Sequence, residues 1–151
     1  LAFSTGSVSF LWTSKLPMPV SPKWDSESLE LEKVSERLNR YRLSVTGLEE
    51  GEYVLKAGYE EEPLNEVATA TAKELAEGVD LTTLEAFPTV ETSLDVLKGL
   101  ETRNQQIYQA WRKAIAGGED RPLEARPDEE LKMLCQPRAV KVEIRRKGTR
   151  R

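Results

Sequence analysis

The segment 41–82 constrains the fold of this chain more than any other, because strand patterns there run directly into a helix with its own start and stop signals. Alternating apolar residues predict two strands, at 41–46 and 52–57, each with one buried face. Between them, Gly47 and Gly51 tolerate positive φ angles, which suits the turn of a hairpin. The sequence therefore predicts an antiparallel β-hairpin at this point.

A short helix is predicted immediately downstream of the hairpin. Residues 66–70 form a short strand pattern, and Thr71 then stands three residues before Glu74, which is the spacing of a capping box. The box predicts a helix over 72–77. Gly78 is placed to end this helix in the left-handed conformation.

A long amphipathic helix is predicted over 88–116. Pro88 suits the first turn of a helix, because its missing N–H would have no partner there in any case. Gly99 lies inside the segment and costs about 1 kcal/mol relative to alanine, so packing must hold the helix together. The apolar positions form one stripe: Val90, Leu94, Leu97, Leu100, Ile107, Trp111 and Ile115. We expect this stripe to pack on the sheet or on a domain outside this chain.

The remaining patterns complete an α+β fold. Strict alternation predicts a strand at 7–13, and three prolines predict an extended segment at 16–23. The pattern at 28–40 fits a helix and a strand equally. A short helix is expected at 129–134 and a strand at 139–144. The predicted fold is α+β, with a small antiparallel sheet that includes a hairpin, one short capped helix and one long amphipathic helix.

The composition argues against catalysis by this chain alone. It has no histidine, which removes the usual general base of a hydrolase and the commonest zinc ligand. Ser4 and Ser7 lack the nucleophile-elbow pattern, and no Ser-x-x-Lys sequence occurs. No apolar run approaches the roughly 20 residues of a membrane span. We therefore predict no catalytic residue, no cofactor-binding residue, no metal ligand and no membrane span.

Three residue groups have both a plain and a functional interpretation. Cys135, beside Met133 and Leu134, is expected to be a buried core thiol rather than a reactive one. The acidic run 60–62 is expected to be a solvated loop rather than a calcium or glycosidase site. The tryptophans are expected to pack internally rather than form a sugar-stacking platform: Trp12, Trp24 and Trp111.

The charge is unevenly distributed along the chain. Residues 138–151 contain seven basic residues and the single acid Glu143, so this segment carries about +6 and the rest about −10. Clustered cations attract nucleic acid or another anionic surface. The candidate contacts are Arg145, Arg146, Lys147, Arg150 and Arg151. A solubilising end is favoured over such binding, because no aromatic residues are interleaved to stack on bases.

Several phrases within residues 3–116 resemble a known structural segment. They are SFLWTSKLPMPV, VTGL, GEYVLKAG and TAKELAEGVDL, followed by a long helix that ends in QAWR. This order resembles the region downstream of the catalytic domain in bacterial SGNH/GDSL-type hydrolases, which are lipase-like and acylhydrolase serine esterases. Residues from Glu119 onward have no counterpart in that resemblance.

The resemblance implies a supporting role rather than a catalytic one. The family's nucleophile lies in a Gly-Asp-Ser block and its base in an Asp-x-x-His block, and this sequence contains neither. The implied partner is the chain's own catalytic domain upstream of Leu1, in a secreted or periplasmic protein. The start at Leu1, without methionine, also leads us to expect a piece of a longer protein.

The resulting organisation has three parts. Residues 1–118 are predicted to be an accessory region, 119–137 a linker with a short helix, and 138–151 a basic tail. The predicted function is that of a non-catalytic C-terminal accessory region of an SGNH/GDSL-type esterase. The alternative is a stand-alone interaction module that binds an anionic partner through the basic tail.

Overall fold

The computed structural model describes residues 2–4, 7–21, 23–37, 41–117 and 129–148. It shows an α+β fold with a five-stranded antiparallel sheet, a separate two-stranded sheet and one long helix. The predicted fold class is confirmed.

The larger sheet has the spatial order β1-β2-β7-β4-β5, and every neighbouring pair is antiparallel. Its strands are β1 (Ala2–Ser4), β2 (Ser7–Thr13), β4 (Glu52–Tyr59), β5 (Asn65–Thr71) and β7 (Ala139–Arg146). The smaller sheet pairs β3 (Arg42–Leu43) with β6 (Val79–Asp80). The helices are α1 (Ser26–Leu31), α2 (Val34–Arg37), α3 (Ala72–Glu77), α4 (Pro88–Ala116) and α5 (Glu129–Leu134), with a 3₁₀ turn at Leu81–Thr83.

One face of the larger sheet carries the hydrophobic core. Alternate residues of β4 and β7 point to this face, as the period of two in a strand requires. Phe87, Leu75 and Leu81 cover the face from above and are themselves buried. The buried strand residues are Tyr53, Leu55, Ala57, Tyr59, Ala70, Val140, Val142 and Ile144. Burial of a large apolar side chain contributes roughly 1.5–3 kcal/mol, so this layer dominates the stability of the fold.

The opposite face of the sheet is polar. Lys56 on β4 lies opposite Glu143 on β7, and Arg145 and Lys141 extend the charged row along β7. Arg145 and Lys141 are exposed, and Lys56 and Glu143 are half-buried. Antiparallel sheets commonly leave one face to water, and the alternation in this sequence matches that arrangement.

The predicted hairpin between the strands at 41–46 and 52–57 is wrong. Only Arg42–Leu43 is a strand, and it pairs with Val79–Asp80 instead of with β4. The two sides of β4 are occupied by β5 and β7, so no position remains for β3. Instead, β4 forms a hairpin with β5 through the loop at residues 60–64.

The short capped helix is confirmed at 72–77. The Thr71 hydroxyl accepts a hydrogen bond from the Glu74 backbone N–H at 3.2 Å, and the Glu74 carboxylate accepts from the Thr71 backbone N–H at 2.7 Å. Gly78 ends the helix with φ of 103° but ψ of 125°, which is outside the predicted left-handed helical conformation. A side chain at this position would collide with Arg42.

The long helix begins at Pro88 and ends at Ala116, as predicted. Close packing explains the glycine at position 99, because a Cβ atom there would collide with the side chain of Leu131 on α5. The segment 28–40, for which the pattern fitted helix and strand equally, contains the end of α1 and the short helix α2. Residues 38–40 lie outside the described residues.

The strand predicted at 139–144 occupies the middle of the larger sheet. β7 pairs with β2 on one side and β4 on the other, and it continues to Arg146. Residues 139–146, assigned by sequence to a basic tail, therefore belong to the folded sheet. The helix expected at 129–134 is also found there.

Candidate interaction surface

The second half of α4 presents a row of large apolar side chains to solvent. We name this row the α4 apolar face and define it by Leu100, Tyr108, Trp111 and Ile115. Their side chains are 38%, 51%, 50% and 56% exposed. Their spacing of three, four or eight residues places them on one side of the helix. Contiguous exposed apolar residues of this size mark interaction sites in soluble proteins.

Aromatic contacts organise the centre of this face. The rings of Tyr108 and Trp111 are stacked, with centroids 6.1 Å apart and planes inclined by 27°. The guanidinium carbon of Arg112 lies 5.8 Å from the centroid of the Tyr108 ring. Tyrosine, tryptophan and arginine are the residues enriched at the energetic centres of protein interfaces. The arrangement therefore suits contact with another folded surface.

The predicted helical stripe only partly matches the observed surface. Its N-terminal members Val90, Leu94 and Leu97 are half-buried, whereas Trp111 and Ile115 are exposed. Tyr108 also lies on this face, although the predicted stripe lacks it. Its position three residues before Trp111 and eight after Leu100 was the signal that would have included it.

The prediction that Cys135 is a buried core thiol is wrong. The structure places this cysteine at the surface. Helix α5 is short and buries only Leu131, and Cys135 follows its last residue. Neighbouring Met133 is also exposed. Adjacent apolar residues in such a short element cannot all reach one buried side.

The fold gives the residues of the predicted basic contact site different surroundings. The Arg146 guanidinium lies 2.5 Å from the Glu49 carboxylate and also donates to the backbone carbonyl of Glu50 at 2.8 Å. Lys147 lies 3.2 Å from the carboxylate of Glu52. Arg145 is exposed on the polar face of the sheet. Arg150 and Arg151, the other two predicted contacts, lie outside the described residues.

The tryptophans differ in environment. Trp12 is half-buried and contacts Tyr41 and Phe87, at ring-centroid distances of 5.4 and 5.7 Å, so internal packing is confirmed for it. The same prediction is wrong for Trp24, which is 47% exposed, and for Trp111. The two exposed rings lie in different parts of the molecule, one before α1 and one on α4.

The acidic loop at 60–62 is exposed, and Glu62 makes an ion pair with Arg138 at 2.8 Å. The Arg138 guanidinium carbon also lies 3.6 Å from the centroid of the Tyr59 ring. Within the described ranges, no group of three or more potential metal-ligating side chains comes together. No helix in the described part of the chain has the length and apolar character needed to cross a bilayer.

No protein-family model and no curated protein matches this chain. Among solved structures, it is similar to a gut microbial diltiazem-metabolizing enzyme, with 17% sequence identity and a TM-score of 0.59. The similarity covers 93% of this chain and 43% of that enzyme's chain. The chain thus spans less than half the length of the enzyme it matches. At this level of identity the likeness shows the fold alone.

Proposed function

We propose that this chain is the non-catalytic C-terminal accessory region of an SGNH/GDSL-type serine esterase. The observation that carries the proposal is the α4 apolar face, which has the composition of a protein interface and faces solvent in this chain. Large apolar patches of this kind are covered when their partner is present. The partner we propose is the enzyme's own catalytic domain.

The comparison with solved structures supports an accessory role. The matched enzyme has more than half of its chain outside the shared fold, which is enough for another domain. That protein metabolises diltiazem, so the shared fold is compatible with a place inside an enzyme. The phrases SFLWTSKLPMPV and TAKELAEGVDL supply the family resemblance independently of that structure.

The proposed parent chemistry is ester hydrolysis through an acyl-serine intermediate on carbohydrate or lipid esters. The Gly-Asp-Ser nucleophile and the Asp-x-x-His base belong to the catalytic domain in this proposal, because this chain contains no histidine. The accessory region would hold that domain in place through the α4 apolar face. A secreted or periplasmic location accompanies this proposal.

The first test is the coding DNA immediately upstream of the Leu1 codon, translated in frame. A Gly-Asp-Ser block followed by an Asp-x-x-His block within about 200 residues, the length of one domain, is the expected result. A start codon directly before Leu1 would overturn the proposal. The 151-residue chain by itself should not hydrolyse a chromogenic acetate ester faster than a boiled control.

The interface itself is tested in the full-length protein. Trp111→Asp places a charge at the centre of the α4 apolar face and should destabilise domain docking by about 2 kcal/mol, as for an interface hot spot. Leu11→Asp is the matched control, because Leu11 is 55% exposed and lies on the larger sheet. Thermal unfolding followed by calorimetry should detect the change for Trp111 only. Equal effects of the two substitutions would contradict docking through α4.

The alternative, an interaction module for an anionic partner, has less support. Arg146 and Lys147 already make ion pairs with Glu49 and Glu52, so their charges are partly neutralised. Deleting 145–151 is a poor test, because it would also remove the end of β7. Replacing Arg145, Arg150 and Arg151 by alanine leaves the sheet intact. Salt-sensitive binding to nucleic acid or anionic vesicles that this triple substitution abolishes would favour the module.

A further inference from the structure

A cleft of about 450 Å³ lies apart from the α4 apolar face. One wall is formed by residues 17–21 together with Trp24 and Leu29. The opposite wall is the 3₁₀ turn at Leu81–Thr83 and the first turns of α4, which contribute Val90 and Leu94. The cleft therefore forms where two segments far apart in sequence face each other.

The cleft combines apolar walls with one exposed aromatic ring. Pro17, Val20, Leu29 and Leu94 line it, and all four are at least half-buried. Trp24 borders the same space and remains 47% exposed. A tryptophan ring is the aromatic side chain that attracts cations most strongly. This combination suits a small molecule with an apolar body and a positive charge.

The polar groups along the α4 side of the cleft are hydrogen-bond acceptors. The hydroxyl of Ser93 donates to the carbonyl of Val90 at 2.8 Å. The hydroxyls of Thr82 and Thr83 donate to the side chain and the carbonyl of Asp80, each at 2.8 Å. Because the hydroxyl protons of Thr83 and Ser93 already have partners, the lone pairs of these two oxygens can accept a ligand's donors.

Glu85 gives the cleft its charge. It is the single charged side chain among the lining residues, it is exposed, and it makes no ion pair within the described residues. Lys23 precedes Trp24 in sequence but does not line the cleft. The carboxylate of Asp80 lies directly behind the Thr82 hydroxyl, at 2.8 Å, and adds to the negative potential. A cation is therefore favoured over a neutral or anionic ligand.

We propose that this cleft binds a small organic cation, an ammonium group carried on a ring-sized apolar body. Trp24 attracts the cation, Glu85 pairs with it, and the hydroxyl oxygens of Thr83 and Ser93 accept its N–H donors. The apolar walls receive the ring. This site uses none of the residues of the α4 apolar face, so it stands independently of the accessory role proposed above.

The test compares benzylamine with benzyl alcohol, which has nearly the same shape without the charge. The full 151-residue chain is labelled with ¹⁵N, and the side-chain indole N–H signals of its three tryptophans are followed during titration. Benzylamine should shift the Trp24 signal while leaving that of Trp111 unchanged. Its affinity should exceed that of benzyl alcohol by about tenfold, the combined effect of an aromatic contact and an exposed ion pair.

Two variants locate the site. Glu85→Gln should weaken benzylamine binding about threefold and leave benzyl alcohol binding unchanged, since an exposed ion pair contributes little more. Glu101→Gln makes the same charge change at an exposed position outside the cleft and should have no effect. Equal affinities for the two ligands, no shift of the Trp24 signal, or equal effects of the two variants would overturn the proposal.

Trp24 is largely exposed, so Trp24→Ala should fold and should weaken benzylamine binding about fivefold.

Discussion

The two halves of α4 share one sequence pattern but have different surroundings. In the first half, Pro88, Thr89, Ser93 and Val96 are buried against the rest of the fold. In the second half, residues 100–116 include no buried residue. Both halves carry apolar side chains at intervals of three or four. An amphipathic pattern therefore predicts which side of a helix needs an apolar partner, but not whether this chain supplies that partner.

Specific contacts hold the first half of α4 against the rest of the fold. Phe87 precedes the helix and is fully buried in the core. The Tyr59 hydroxyl donates to the carbonyl of Pro88 at 3.2 Å and lies 2.6 Å from the Thr92 hydroxyl. Farther along, Gly99 lets Leu131 of α5 approach the helix. Beyond this contact the helix continues through the α4 apolar face, which the described residues leave open to solvent.

The largest expected change in stability comes from a substitution at the start of the buried first half of α4. Phe87→Ala should lower the free energy of unfolding by about 3–5 kcal/mol, because it leaves a cavity above the sheet. Trp111→Ala removes a larger side chain but should change stability by less than about 0.5 kcal/mol, because the ring is half-exposed and its contact with the Tyr108 ring also lies at the surface. Urea denaturation followed by circular dichroism at 222 nm measures both values.

Similar losses for the two substitutions would contradict this expectation, since they would mean that the Trp111 side chain is packed in a core of the isolated chain. The slope of the denaturation curve serves as the control. It should be the same for wild type and both variants if the folded state exposes the same surface in each.

A smaller effect is expected at the boundary between the two halves. Gly99→Ala should destabilise by about 1 kcal/mol, because the clash with Leu131 exceeds the gain of about 1 kcal/mol in helix propensity. Once the clash is removed by Leu131→Ala, the same Gly99→Ala substitution should stabilise the protein by about 1 kcal/mol. The double-mutant cycle is measured by urea denaturation.

The sign reversal is the decisive result of this cycle. If Gly99→Ala had the same effect with and without the Leu131 side chain, contact with α5 would not explain the glycine. A destabilisation independent of Leu131 would point to a different constraint on α4 at this position.

The smallest expected change in stability concerns the side-chain caps at the starts of α3 and α4. Glu74 accepts hydrogen bonds from the Thr71 backbone N–H and hydroxyl, and these hold the pKa of its carboxyl below the ordinary value of 4.5. Because the folded pKa is lowered, the stabilisation is complete above pH 4.5 and is lost as the pH falls through the folded pKa. The start of α4 has no side-chain cap, so it lacks this dependence.

The difference in unfolding free energy between wild type and Glu74→Gln should therefore narrow as the pH is lowered from 6 toward 3. Urea denaturation at several pH values measures this difference. Groups that titrate alike in both proteins contribute equally to the two unfolding free energies and cancel in the difference. A difference that grows on acidification would contradict the lowered pKa. Hydrogen exchange of the first α4 amides, corrected for intrinsic rates, should be alike in the two proteins.

Local signals predicted the elements of this fold well. The Thr71–Glu74 capping box gave the bounds of α3, Pro88 gave the start of α4, and the helix expected at 129–134 is present. Caps and prolines act within one turn, so a sequence window contains all their partners. The segment at 41–46 failed for the opposite reason. Its pairing partner at 79–80 lies about 35 residues away, and no local pattern records it.

The candidate sites were predicted less well than the fold. Trp111 and Arg146 were both noted from the sequence, but the prediction that Trp111 is packed inside was wrong. Arg146 already has an ion-pair partner in Glu49. The cleft beside Trp24 was missed, because its other wall comes from residues 82–94. The exposure of Trp111 and the ion pairing of Arg146 depend on neighbours distant in sequence, so composition and spacing could not predict them.

The sequence was enough to determine the alternation of β2, β4 and β7, the limits of α3, α4 and α5, and the lack of any histidine for catalysis, because these depend on residue identity and short spacing. Only the tertiary structure shows that β7 lies between β2 and β4, and that the described residues leave the second half of α4 uncovered. Strand order and helix burial are set by contacts between distant segments that compete for the same core face. Only the folded chain shows which of them occupies it.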